Sequence, residues 1–331
     1  VRARLNRNRP VFSRLADATS RAAARLVGPL ARALVWAVRR FSPDRCAEVF
    51  GALARRIGPW LGVSNLGRQQ LRAAYPEKTD LEIEVMLAGV WDNLGRWVAE
   101  TLHIDRLWDW DILRPYDSRM VGDGVEKLLE LRDDGKPSLV FACHIGNWEI
   151  AAVAAAALGA DFAVLFRPPN NPLAAEIIHE LRRTTMGRLI PANRVAPVAL
   201  ASELARGAHV GMLVDQFAHH GTPVTFFGRA CPANPTIARL ARHFECEVRG
   251  VRAIRLPGTR FRLELTDPLD LPRDADGKID IDASMQMIIS IVEGWIRETP
   301  EQWLWLHRRW RDSWRPPRSV SGRSSRASKH V

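Results

Sequence analysis

The sequence predicts an α/β fold: a mostly parallel central sheet flanked by helices. Three observations carry this. Short apolar runs at residues 139–142 (LVFA), 161–166 (DFAVLF) and 209–214 (HVGMLV) have the length of buried strands. Between them lie stretches that favour helix: the alanine-rich 150–157, then 172–183 with Leu173, Ile177, Ile178 and Leu181 on one face, then 197–206. Strand, crossover helix and strand at this rhythm call for parallel pairing. Finally, 331 residues at 47% hydrophobic suffice to bury a sizeable core.

Taken in order, the chain starts with Arg2, Arg4, Arg7, Arg9 and Arg14, then the apolar stretch 22–38 (AAARLVGPLARALVWAV). Arg25 and Arg32 interrupt that stretch and Pro29 would kink it, whereas a spanning helix needs about 20 mostly apolar residues. The expectation is an N-terminal helical membrane-associating segment lying at the interface, with no secretory cleavage site. Residues 44–105 read as helices, one capped by Asp44 and another by Thr79 or Asp80. A helix over 122–132 and a turn at 133–137 lead into the first strand. Residues 247–255 and 260–266 alternate as a hairpin, and Met285, Ile288, Ile289, Val292 and Ile296 mark a long helix. From Pro316 the Ser-, Arg- and Pro-rich tail has no periodicity and reads as disordered. The organisation expected is a basic arm at 1–43, an α/β domain at 44–315 and a tail at 316–331.

The formal charge is +11, which suits an anionic partner: phosphorylated lipid, nucleic acid or an acidic carrier protein. No nucleic-acid-binding module accompanies it, and the aromatics fall into apolar stripes, so nucleic acid is set aside. Twelve tryptophans stand against two tyrosines, a bias shared by membrane interfaces and by cores. Cys46, Cys143, Cys231 and Cys246 lack paired spacing, and His219–His220 lacks a third ligand, so neither a disulfide framework nor a metal site is expected.

The stretch 138–157, SLVFACHIGNWEIAAVAAAA, passes from apolar strand to alanine helix through His144, Gly146, Asn147, Trp148 and Glu149. N–H groups at such a junction suit an oxyanion. On one continuous helix, His144 and Glu149 would point about 140° apart. With His144 at the strand end and Glu149 in the first turn, the carboxylate could reach back to one imidazole nitrogen and leave the other as a general base. A helix-entry histidine followed by a first-turn acid is the plainer reading, and spacing alone leaves both open. Arg167 ends the next strand, so a parallel sheet would aim it into the same crevice, where a guanidinium suits phosphate.

HIGNWE resembles the H-x(4)-D/E signature of glycerolipid-type acyltransferases. In its His-x-Gly-Asn-Trp-Glu form it resembles the late lauroyl and myristoyl transferases of lipid A biosynthesis. Further blocks share the likeness: Arg167-Pro168 followed by Asn171-Pro172, Asp215-Gln216, VTFFG at 224–228, and Pro300-Glu301-Gln302-Trp303-Leu304-Trp305-Leu306-His307-Arg308-Arg309-Trp310. It runs from about Ala22 to Trp314. The resemblance implies a glycerol-3-phosphate acyltransferase-like fold and transfer of a fatty acyl chain from acyl carrier protein to a hydroxyl of a lipid A precursor. The setting implied is the cytoplasmic face of the bacterial inner membrane, at its anionic surface. No cofactor, metal or covalent intermediate is implied. His144 and Glu149 are the expected catalytic pair. Arg167, Asn147, Asn171, Asp215, Gln216 and Arg308 are the expected substrate contacts. Phosphatidylinositol mannoside, a glycerophosphate or an aminolipid remain alternative acceptors, and a non-catalytic, basic membrane-surface binder is the alternative class.

Overall fold

In the computed structural model, which describes residues 29, 32–168, 172–311 and 314, the apolar runs become the inner strands of a sheet. The strands are β1 (Met120–Val121), β2 (Ser138–Ala142), β3 (Phe162–Phe166), β4 (Arg188–Pro191), β5 (His209–Leu213), β6 (Thr222–Phe226), β7 (Arg229–Ala233), β8 (Glu247–Leu256) and β9 (Arg260–Leu265). Seven of them line up in the order β1-β9-β8-β2-β5-β3-β4, every neighbouring pair parallel except β8–β9. β6 and β7 form a separate antiparallel pair. The α/β class, the mostly parallel sheet and the 247–266 hairpin are therefore as expected. The two edge strands, β1 and β4, were not anticipated; two and four residues are too few to show a period.

The helices are α1 (Pro43–Ile57), α2 (Ser64–Ala74), α3 (Asp80–Thr101), α4 (Gly124–Asp133), α5 (Ile150–Ala157), α6 (Pro172–Thr185), α7 (Ala196–Ala205), α8 (Thr236–Phe244) and α9 (Ile281–Glu298). Thr79 caps α3 in a reciprocal box with Glu82, each side chain satisfying the other's backbone N–H. The cap expected of Asp44 is supplied by Ser42, with Pro43 in the first turn. The Asp44 carboxylate takes Arg119 instead, at 2.7 and 2.9 Å.

Alternation along β2 divides the core. Leu139, Phe141 and Cys143 enter one cluster, which also holds Trp295 and Ile289 of α9 and Trp303. Phe141 stacks on Trp295 with ring centroids 5.6 Å apart. Val140 and Ala142 face the other cluster, with α4 and α5.

The tryptophan-rich run does not continue as a helix. A single turn at Pro300–Gln302 gives way to extended chain that pairs Trp303 with Ile145. Trp305 and Arg309 are fully buried there, Trp303 is 1% exposed, and Phe226 and Phe227 pack against this run as core. Of the N-terminal segment, residues 32–38 are helical, and no described helix is long and apolar enough to cross a membrane. The arm before residue 29 and the tail from Pro316 lie outside the described residues.

Candidate active site

The end of β2 is fixed by backbone pairing from two directions. Gly146 N–H donates to Gln302 O at 3.0 Å, Asn147 N–H to Ala253 O at 3.2 Å, and Leu304 N–H to His144 O at 3.0 Å. Gly146 has φ +57°, and a Cβ there would lie 2.0 Å from the Ala253 carbonyl oxygen, so only glycine lets the loop approach β8. This turn sets His144 at the carboxyl end of β2. Asp215 follows the neighbouring strand β5, whose pairing with β2 runs to Ala142–Leu213.

Asp215 accepts three hydrogen bonds in a fully buried position. His144 Nδ1 and backbone N both donate at 2.8 Å, to Oδ1 and Oδ2, and Trp303 Nε1 donates to Oδ2 at 2.7 Å. Burial works to raise the carboxyl. The opposing charge and hydrogen bonds of His144 outweigh it and hold Asp215 well below the usual carboxylate range. An ionised Asp215 assigns the imidazole proton to Nδ1 and leaves Nε2 as an acceptor. The Gln216 amide donates to that nitrogen at 3.2 Å.

Glu149, the nearer carboxylate in sequence, turns to another partner. It stands at the N-cap of α5 and forms a bidentate ion pair with Arg182 of α6, one arm 3.0 Å long. The imidazole contact expected from Glu149 is thus made by Asp215. Asp215, expected as a substrate contact, is instead bound to the base; the order of the strands, which puts it beside His144, is not written in residue spacing.

His144, Glu149, Arg167, Arg182 and Gln216 all border one cavity of about 610 Å³. Trp97 and Trp148 stack at its rim, 4.7 Å between centroids, and the Trp148 ring lies 5.1 Å from His144. Inward, the cavity is apolar, bounded by Val140, Ala142, Val164 and Leu213 of the sheet and Ala151, Ala152 and Ala155 of α5. Arg167 is exposed at the mouth and has no ion-pair partner among the described residues.

Other expected contacts lie elsewhere. Asn147 is fully buried off the cavity; its side chain donates to Glu100 Oε2 at 2.8 Å, and Glu100 also pairs with Arg255. Asn147 further engages the N–H groups of Glu149 (through its side-chain oxygen, 3.2 Å) and Ile150 (through its carbonyl, 3.2 Å), two of the helix-start donors expected to face an oxyanion. Arg308 is exposed and away from the cavity, and Asn171 lies outside the described residues. Cys143 is buried on the opposite face from His144, and burial pushes its thiol well above the ordinary range, so it is no nucleophile.

Two residues of the tryptophan-rich run support the centre from behind. The His307 ring lies 6.3 Å from that of His144 and 4.9 Å from Trp303, and burial lowers it to about 4. Its Nδ1 donates to Leu304 O at 2.5 Å, which leaves Nε2 unpaired. Arg309 donates to Pro232 O at 2.7 Å and to Gln216 O at 3.4 Å, bracing the loop that carries Asp215 and Gln216. The Pro-x-Gln-Trp-x-Trp run is visible in the sequence as a block of the resemblance, with Arg308 the contact expected from it; in the fold the run acts as a brace.

A buried imidazole, ionically oriented and open at one nitrogen onto an apolar cavity with cations at its mouth, can deprotonate a hydroxyl beside a bound acyl chain. Comparison with known proteins agrees in kind. Residues 16–312 match the family model described as bacterial lipid A biosynthesis acyltransferase. The chain is also 25% identical to lipid A biosynthesis acyltransferase 2 of Shigella flexneri, over 76% of this chain and 80% of that protein.

Proposed function

Since the chain belongs to the family of bacterial lipid A biosynthesis acyltransferases, we propose that it moves a fatty acyl chain from the thioester of an acyl carrier protein to a hydroxyl of a lipid A precursor. The hydroxyl takes the place of the Gln216 amide at His144 Nε2 and gives up its proton there as its oxygen attacks the thioester carbonyl. Collapse of the tetrahedral intermediate breaks the C–S bond, and the imidazolium returns the proton to the leaving thiolate. An ester and a free carrier thiol result. Asp215 holds the productive tautomer and balances the imidazolium charge. Glu149 keeps Arg182 against the cavity wall, and Arg167 pairs with an acceptor phosphate.

The observation that carries this reading is the imidazole itself: Nδ1 bound to a buried carboxylate, Nε2 facing an acyl-sized apolar cavity. The formal charge of +11 favours both an acidic carrier and a phosphorylated lipid. Association with the anionic cytoplasmic face of the inner membrane is supported by large apolar side chains exposed between residues 34 and 63, among them Trp36, Leu53 and Trp60. The test is transfer from acyl carrier protein to a purified lipid A precursor, followed by mass spectrometry. His144→Ala should lower kcat by about 10⁴-fold with the fold intact. A folded His144→Ala protein with undiminished transfer would sink the mechanism.

A further inference from the structure

Both nitrogens of the His144 ring carry a side-chain partner. Asp215 takes Nδ1 at 2.8 Å, and the Gln216 amide donates to Nε2 at 3.2 Å. The second contact is unlike the first. Asp215 is fully buried and accepts three hydrogen bonds, whereas Gln216 is exposed. The Gln216 backbone is nevertheless held. Its carbonyl accepts from Arg309 at 3.4 Å, and the residue before it is tied to the base and to Trp303. The side chain can therefore leave Nε2 by rotating about its own dihedrals, with no movement of the strand end.

An acyl thioester beside a general base is open to any O–H that reaches that base. Water at Nε2 would be activated as readily as an alcohol, and the product would be a free fatty acid in place of an ester. A primary amide is suited to keeping water off. Its N–H satisfies the ring nitrogen, yet its own nitrogen is a poor nucleophile and is not acylated; a serine hydroxyl in the same place would be. With the amide seated, the His144 side chain is only 11% exposed, and the Trp148 ring stands beside it at 5.1 Å.

We propose that Gln216 selects a lipid hydroxyl over water as the acyl acceptor, by capping His144 Nε2 until a bound acceptor displaces it. A neutral hydrogen bond biases occupancy by about fivefold. A lipid held through its phosphate and chains brings remote binding energy to the displacement; a single water brings none. This rests on the acyl-transfer reading above and adds how the donor thioester escapes hydrolysis. Without the cap, a water oxygen attacks the thioester carbonyl as one of its protons passes to Nε2. The C–S bond then breaks, the imidazolium returns that proton to the thiolate, and a fatty acid and the carrier thiol result.

The experiment uses the full-length protein and acyl carrier protein loaded with dodecanoyl, tetradecanoyl or hexadecanoyl chains, with and without a purified lipid A precursor. Release of free fatty acid without the precursor should rise about fivefold in Gln216→Ala, and should fall back in a Gln216→Ala/His144→Ala double variant. Gln216→Met, which keeps the bulk and loses the N–H, should move in the same direction and decides if the alanine variant does not fold by circular dichroism. A second readout needs no thioester: modification of His144 by diethyl pyrocarbonate, followed by peptide mass spectrometry, should quicken by a similar factor in both single variants. Hydrolysis that is unchanged or lowered in a folded variant that still transfers overturns the role of Gln216 and leaves acyl transfer standing. Faster hydrolysis and faster His144 modification, with no transfer by the wild type to any lipid hydroxyl, do the reverse.

Discussion

The two faces of β2 differ in what they are filled with. On one, Leu139, Phe141 and Cys143 join Trp295, Ile289 and Trp303 in one hydrophobic cluster, with Phe141 stacked on Trp295. On the other, Val140, Ala142 and His144, with Gly211 beside Val140 on the sheet, border the cavity together with the alanines of α5. Alternation along six residues thus separates a face that holds the sheet together from one that keeps space for a substrate. Damage should separate in the same way: lost activity on the open face, lost stability on the filled one.

The sharpest separation is expected at the carboxylate behind the base of the open face. In Asp215→Asn, the amide oxygen accepts from Trp303 and the His144 backbone, its NH₂ faces Nδ1, and the imidazole proton moves to Nε2. kcat for acyl transfer should then fall by about 10³-fold with KM nearly unchanged. A wild-type rate in this variant would mean that Asp215 does not set the tautomer. Next is Phe141→Ala on the filled face, expected to cost about 4 kcal/mol of stability in urea titrations while the surviving folded enzyme keeps its rate. Should it cost under a kcal/mol, the contrast between the faces fails.

A smaller effect distinguishes the support behind the site. His307 is lowered to about 4, below its value in an unfolded chain. The folded state therefore binds this proton less readily than the unfolded state. Stability is complete above about pH 6.5 and declines as pH falls from there toward 4, by about 3 kcal/mol at most. Thermal midpoints measured across that range should drop for the wild type and flatten in His307→Gln. Equal slopes in the two proteins would assign the acid sensitivity elsewhere.

How far the sequence could be read follows from where its signals are local. Helix starts such as Thr79 with Glu82, and strands such as β2 with its five apolar-rich residues, are set by neighbours within a few positions and were legible. β1 and β4 are held by their partners in the sheet and left no pattern of their own. The site divides likewise. His144 at a strand end and Arg167 at the next were legible, because a parallel sheet brings strand ends together. The carboxylate on His144 was not, since spacing favours Glu149 at five residues over Asp215 at 71. The covering role of the alanines was equally hidden; alanine favours helix whatever it faces.

The pairing of Trp303 and Leu304 with Asp215 and His144 bears on how the protein matures. The base and its carboxylate are both clasped by a segment that follows every described strand in sequence. A nascent chain that already has its central strands in place holds no oriented imidazole. Acyl transfer should therefore need the residues past Pro300, and a product truncated there should lack it even where its sheet has formed.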